Sequence, residues 1–157
     1  MTLDPAFGRY VDPLPGLLER LLACPPFVYA ERPRVPDRGG VYLFTEGEQH
    51  LYVGRTGKLR QRLGQHCRPS SGHNSAPFTF LLTREVTGRM SATYRAGEGR
   101  DELMNEPVFR RAFKEQNARV NRMLIRYVEE GNPNRQMLLE VYVAVVLPTR
   151  YNDFDNH

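Results

Sequence analysis

The stretch GVYLFTEGEQHLYVGRTGKLRQRLGQHC, residues 40–67, decides the reading of this chain. Two short runs, GVYLF (40–44) and HLYVG (50–54), are rich in aromatic and β-branched residues. TEGEQ between them is polar and carries a glycine, the signature of a β-hairpin. TGKLRQRLGQHC (56–67) follows, with Thr56 placed as an N-cap and Leu59 and Leu63 on one helical face. Tyr42 and Tyr52 lie on two strands that should pair, so both phenols can reach one face. Arg62 and His66 stand at i and i+4, on one side of the helix. A strand–strand–helix unit therefore gathers two tyrosines, an arginine and a histidine.

Working outward, Leu14, Leu17, Leu18, Leu21 and Leu22 form one face of a short amphipathic helix, stopped by Pro25 and Pro26. PRVPDRGG links it to the hairpin. After a polar loop at 68–77, PFTFLLTREV (77–86) reads as a strand or as the buried start of a helix. Residues 101–120 read as helical, with a break or fresh start at Pro107. Residues 121–131 alternate as a strand does. NPNRQMLLEVYVAVVL (132–147) is open: its β-branched content favours a strand, while its length and Asn134 as a cap favour a helix.

Composition bounds the answer. At 157 residues, 40% hydrophobic and 25% charged, the chain has the make-up of a globular domain. The longest uncharged apolar run, Val141–Thr149, falls far short of the ~20 residues of a membrane span. No secretory signal is legible, and Cys24 and Cys67 have neither zinc nor disulfide spacing, so a reducing cytoplasmic location is expected. The net charge of +4 is modest, but its placement is not: Gln49–Arg84 holds no acid and six basic residues, Arg55, Lys58, Arg60, Arg62, Arg68 and Arg84. Arg55, Lys58, Arg60 and Arg68 are candidate phosphate contacts, and His73 and Asn74 candidate groove contacts.

The order G-V-Y-x9-Y-V-G-x-T-x-x-L-x-x-R-L-x-x-H (40–66) resembles the GIY-YIG nuclease superfamily, with valine in place of each isoleucine. The resemblance extends to Glu140, in QMLLEVYVAV, and to Asn152, in RYND twelve residues later, and covers about 38–155. It implies an α+β fold with a small, mostly antiparallel central sheet flanked by helices. On this division residues 1–35 are an N-terminal extension, 36–157 the nuclease domain, and about 85–120 a variable insertion. It further implies a metal-dependent endonuclease acting on DNA, in restriction, repair or defence against foreign DNA.

In that reading one Mg²⁺ or Mn²⁺ ion is held by Glu140, Arg62 clamps the phosphate, and Tyr42 is the general base supported by Tyr52. His66 relays the proton or itself acts as base, and Asn152 orients a catalytic group. Gly54 lets the chain come close to phosphate or marks the strand exit. A phenol of pKa ~10 is ionised about one part in a thousand at pH 7, a cost of roughly 4 kcal/mol that Arg62 and a hydrated metal would reduce. One chain offers one site, so a double-strand cut calls for a homodimer, two binding events or sequential nicks. The alternative is a non-catalytic nucleic-acid-binding module that retains the fold.

Overall fold

The computed structural model describes residues 2–90 and 99–152; positions 91–98 of the expected insertion and 153–155 at the end of the motif match lie outside them. The fold is α+β, as the motif implied. Among the described residues the elements run α1 (Pro5–Val11), α2 (Leu14–Ala23), β1 (Gly40–Glu46), β2 (Gln49–Thr56), α3 (Leu59–Cys67), α4 (Pro77–Val86), α5 (Arg100–Asn105), α6 (Pro107–Asn121), β3 (Leu124–Glu129) and α7 (Pro133–Val146). They fall into two compact units, one of residues 1–62 with 123–157, the other of residues 63–122.

The first unit is built on an antiparallel sheet in the order β2-β1-β3. Leu14, Leu17, Leu18 and Leu21 of α2 and Leu139, Val143 and Ala144 of α7 share one core cluster with Val41, Leu43, Val53 and Val128 of the sheet. α2, within residues 1–35, thus supplies a wall of the core. Leu22, expected on the same face, is 40% exposed. α1 has no counterpart in the sequence reading; Asp4 caps it by accepting from Ala6 N–H at 2.8 Å.

Gly47 and Glu48 form the hairpin turn. Gly47 has φ +60°, and no other described residue type than glycine has a positive φ, as a two-residue turn with glycine first requires. A bulge then shifts the register between Phe44 and Thr45: Thr45 pairs with His50, but Phe44 pairs with Tyr52 and Tyr42 with Gly54. Leu51 is the extra residue. Its consequence is large, because a one-residue slip turns a whole strand over. Without the bulge Tyr42 would oppose Val53, and Tyr52 would point to the opposite face. The bulge is what puts both tyrosines on one side.

Both sheet edges are covered. Phe27 exchanges backbone hydrogen bonds with Ile125 at 3.1 and 2.7 Å along β3. Along β2, Tyr151 N–H donates to Leu51 O at 3.0 Å, and the Asn152 amide takes the next position.

The open readings resolve as helices at 77–86 and 133–146. In α7 the cap is Asn132 rather than Asn134: its side chain accepts from Arg135 N–H at 3.0 Å, and Pro133 occupies the first helical position, where its missing N–H costs nothing. Likewise Thr56 does not cap α3 directly. It accepts from Lys58 N–H at 3.0 Å, in a turn just before the helix begins at Leu59. The expected break at Pro107 separates α5 from α6.

The second unit packs Ala76 and Phe80 against Leu103, Phe109 and Phe113. Phe80 lies 5.5 Å from Phe109, centroid to centroid. Both cysteines are free thiols. Among the described residues, no helix is long and apolar enough to cross a membrane.

Candidate active site

A cleft of about 390 Å³ opens on the first unit, lined by Tyr42, Tyr52, Gly54, Arg55, Thr56, Arg62 and Glu140. Four elements meet there. β1 brings Tyr42, β2 brings Tyr52 to Thr56, the first turn of α3 brings Arg62, and α7 brings Glu140 from 85 residues beyond Arg55.

Tyr42 is the most enclosed of these side chains, 1% exposed. Its ring meets Phe44 edge-on at 6.0 Å and stands 6.5 Å from the Tyr52 ring. Arg62 Nε donates to its hydroxyl at 3.4 Å. Gly54, its register partner, lies directly beneath it: a Cβ built there would collide with Oη and Cζ and stand 2.9 Å from Cε2. The glycine of the YVG triplet thus makes room for the phenol of the GVY triplet. It does not mark the strand exit expected from sequence, since β2 continues to Thr56. Gly40 is constrained in the same way, since a Cβ there would run into the Val128 carbonyl and Leu59 Cδ1.

The electrostatics run against the sequence expectation for Tyr42. Burial, the largest influence, pushes its phenol well above the ordinary value; the charge of Tyr52 adds to this, and Arg62 pulls the other way without prevailing. Tyr52 is raised too, by burial first, with Arg62 opposing and Glu140 assisting. Glu140 is pushed up by burial against the opposing pull of Arg55. Its Oε2 accepts from Arg55 Nε at 3.1 Å, with side-chain exposures of 44% for the arginine and 20% for the glutamate.

The other expected site residues lie elsewhere. Asn152 turns both polar atoms of its amide onto one residue: Oδ1 accepts from Val53 N–H and Nδ2 donates to Val53 O, each at 2.8 Å. It extends the β2 ladder as a further strand would, next to Tyr52 and Gly54. His66, one turn beyond Arg62 on α3, is fully buried. Arg60 Nε donates to Val35 O at 2.8 Å, and Lys58 is exposed. Arg68, His73 and Asn74 belong to the second unit. His73 is held to Asp101 at 2.6 Å beside the Phe80 ring, which gives no support to a groove contact; Arg68 and Asn74 are exposed. Sequence reasoning missed Thr56 as a lining residue and Arg55 as the partner of Glu140. Nothing in the spacing of residues 55 and 140 signals that pair.

The arrangement can hold a hard divalent cation. Glu140 is the lone carboxylate of the cleft lining, and no group of three or more His, Cys, Asp or Glu suited to a metal occurs among the described residues. Such a donor set fits an ion that keeps most of its waters and takes its remaining ligands from substrate phosphate.

Over 39 residues, a quarter of this chain, the sequence is 36% identical to the UvrABC system protein C of Fervidobacterium nodosum, spanning 7% of that protein's length. No solved structure matches. The family model of the GIY-YIG catalytic domain matches residues 38–103, and over that stretch the chain is similar to a GIY-YIG catalytic domain.

Proposed function

We propose that this protein is a divalent-metal-dependent endonuclease that hydrolyses phosphodiester bonds in DNA. The observation that carries the reading is the convergence of Tyr42, Tyr52, Arg62 and Glu140 on one open cleft. A phosphodiester needs its charge neutralised, its nucleophile deprotonated and its leaving oxygen stabilised, and the cleft holds a group for each task.

Glu140 would hold the ion, Mg²⁺ or Mn²⁺, which when bound supplies Lewis-acid stabilisation to the phosphate oxygens. Arg62 presents a planar fork matched to a phosphate, and its Nε bond to Tyr42 ties phosphate position to phenol position. Tyr42 takes the proton of the attacking water. Burial makes its phenolate scarce at neutral pH but strongly basic once formed. Tyr52, less buried and on the same face, first passes Tyr42's own proton towards solvent and afterwards relays the proton taken from the water by the same route. Arg55, Lys58 and Arg60 contribute charge along the DNA backbone. Asn152 acts as a positioning residue through Val53, and His66 as part of the protein interior.

A cleavage panel tests the reading: supercoiled plasmid, linear duplex, single strand and RNA, each with Mg²⁺, Mn²⁺ or EDTA, with the ends mapped. Metal-dependent cutting of DNA is expected. Fixed cut positions would indicate restriction; scattered nicks would not. Salt-sensitive DNA binding without cleavage under either ion would overturn the enzyme reading in favour of a binding module.

A further inference from the structure

Arg55 and Glu140 form the closest charged contact in the cleft, and neither is engaged as a phosphate clamp or an unpaired ligand would be. The Arg55 side chain is 44% exposed and comes from β2, the edge strand of the sheet; the Glu140 side chain is 20% exposed and comes from α7. The guanidinium thus already offers the carboxylate a positive charge in the same open cleft that a cation from solvent would enter. Such a part-exposed pair is weak enough to exchange, and a long arginine stem can swing its head into solvent without disturbing the strand.

We propose that Arg55 occupies the cation position of Glu140 in the metal-free protein and that divalent-ion entry displaces it, releasing its guanidinium to bind DNA phosphate. The proposal rests on the assignment of the metal to Glu140. Arg55 is then a shared component of two binding events: the ion frees the arginine for phosphate, and phosphate holding the arginine leaves Glu140 open to the ion. Linkage makes the coupling reciprocal, so DNA raises metal affinity by the same factor as metal raises DNA affinity. The exchange also offsets the charge that the carboxylate would otherwise hold bare in a half-buried site.

The test uses the full chain without catalysis as its readout. The arginine Nε–H resonances are followed by ¹H–¹⁵N NMR during Mg²⁺ titration, with the Arg55 signal identified by its loss in Arg55→Gln. Mg²⁺ affinity is measured by calorimetry for the wild type, Arg55→Gln, Glu140→Gln and Lys58→Gln. The Arg55 resonance should move on Mg²⁺ addition in the wild type and stay still in Glu140→Gln. Arg55→Gln should bind Mg²⁺ about five- to tenfold more tightly, the low end of inter-site coupling. Lys58→Gln, which removes one positive charge outside the cleft lining, should change affinity less. If Glu140→Gln loses Mg²⁺ while Arg55→Gln binds as the wild type and the resonance is unmoved, the metal site stands and the displacement proposal falls. If Glu140→Gln binds Mg²⁺ as the wild type does, the assignment of the metal to Glu140 itself falls.

Discussion

Replacing Gly54 with alanine adds a methyl group where the Tyr42 ring already stands. The new Cβ would overlap Oη and Cζ and lie 2.9 Å from Cε2, whereas carbon contacts settle at about 3.5–4.0 Å. The ring must therefore retreat by roughly 1 Å to restore contact distances. It has little room to do so, being 1% exposed and set edge-on against Phe44. Overpacking of this kind costs about 1–3 kcal/mol, which for a chain of this size lowers Tm by roughly 2–12 °C.

The catalytic effect should exceed what that destabilisation explains. A 1 Å displacement of a reacting group costs on the order of a hundredfold in rate, and the Arg62–Tyr42 contact is already long at 3.4 Å. Gly54→Ala should therefore lose about a hundredfold in kcat on plasmid, assayed well below its melting temperature, with KM nearly unchanged. Gly47→Ala is the control. It strains the hairpin turn at φ +60° and should cost comparable stability, but it lies outside the cleft lining and should keep most of the activity. If Gly54→Ala instead raised KM and spared kcat, the glycine would serve phosphate approach rather than the phenol. Wild-type kcat with an unchanged Tm would refute the packing argument altogether.

Other consequences can be checked on the same protein. Asn152→Ala leaves Val53 N–H and O without their partner and should cost about 1–3 kcal/mol, read as a lower Tm and faster amide exchange at Val53. Tyr42 keeps its proton in the fold above the pH at which the unfolded phenol ionises. Its stabilising contribution is therefore complete below about pH 10 and is lost above it, at about 1.4 kcal/mol per pH unit. Tyr42→Phe should flatten the alkaline fall in stability, measured by denaturant melts from pH 9 to 11. Glu140 follows the same sign: burial raises its carboxyl, so stability is lost as the pH rises from the ordinary carboxylate range through the folded value, and the ionised form weighs fully against folding above it. Glu140→Gln should melt at or above the wild-type temperature in EDTA, and Mg²⁺ should raise the Tm of the wild type only.

The hairpin, the helix after it and the break at Pro107 were legible because each rests on local chemistry: alternation, a glycine turn, a missing N–H. What escaped the sequence depends on register or on contacts distant along the chain. The shared face of Tyr42 and Tyr52 was expected from pairing alone, yet it exists because of the bulge at Leu51, which no residue type announces. The 132–147 segment stayed ambiguous because Val141, Val143, Val145 and Val146 suit a strand as well as a helix. The Asn132-Pro133 start and packing on α2 and the sheet decide it. Asn152 was legible as a site residue but not as a backbone clamp, since its partner lies 99 residues away. Tyr42 acidity could not be read either: the favourable arginine is visible in the motif, but the burial that outweighs it is a property of the fold.

The assignment of DNA cleavage to the cleft joining Tyr42, Arg62 and Glu140 comes down to one assay. Nicking of supercoiled plasmid in Mg²⁺ by the wild type, Tyr42→Phe and Glu140→Ala, with all three verified as folded by their melts, tests it most directly. Nicking by the wild type is expected, with its loss in EDTA and no nicking above background by either variant. Undiminished nicking by both variants would contradict it.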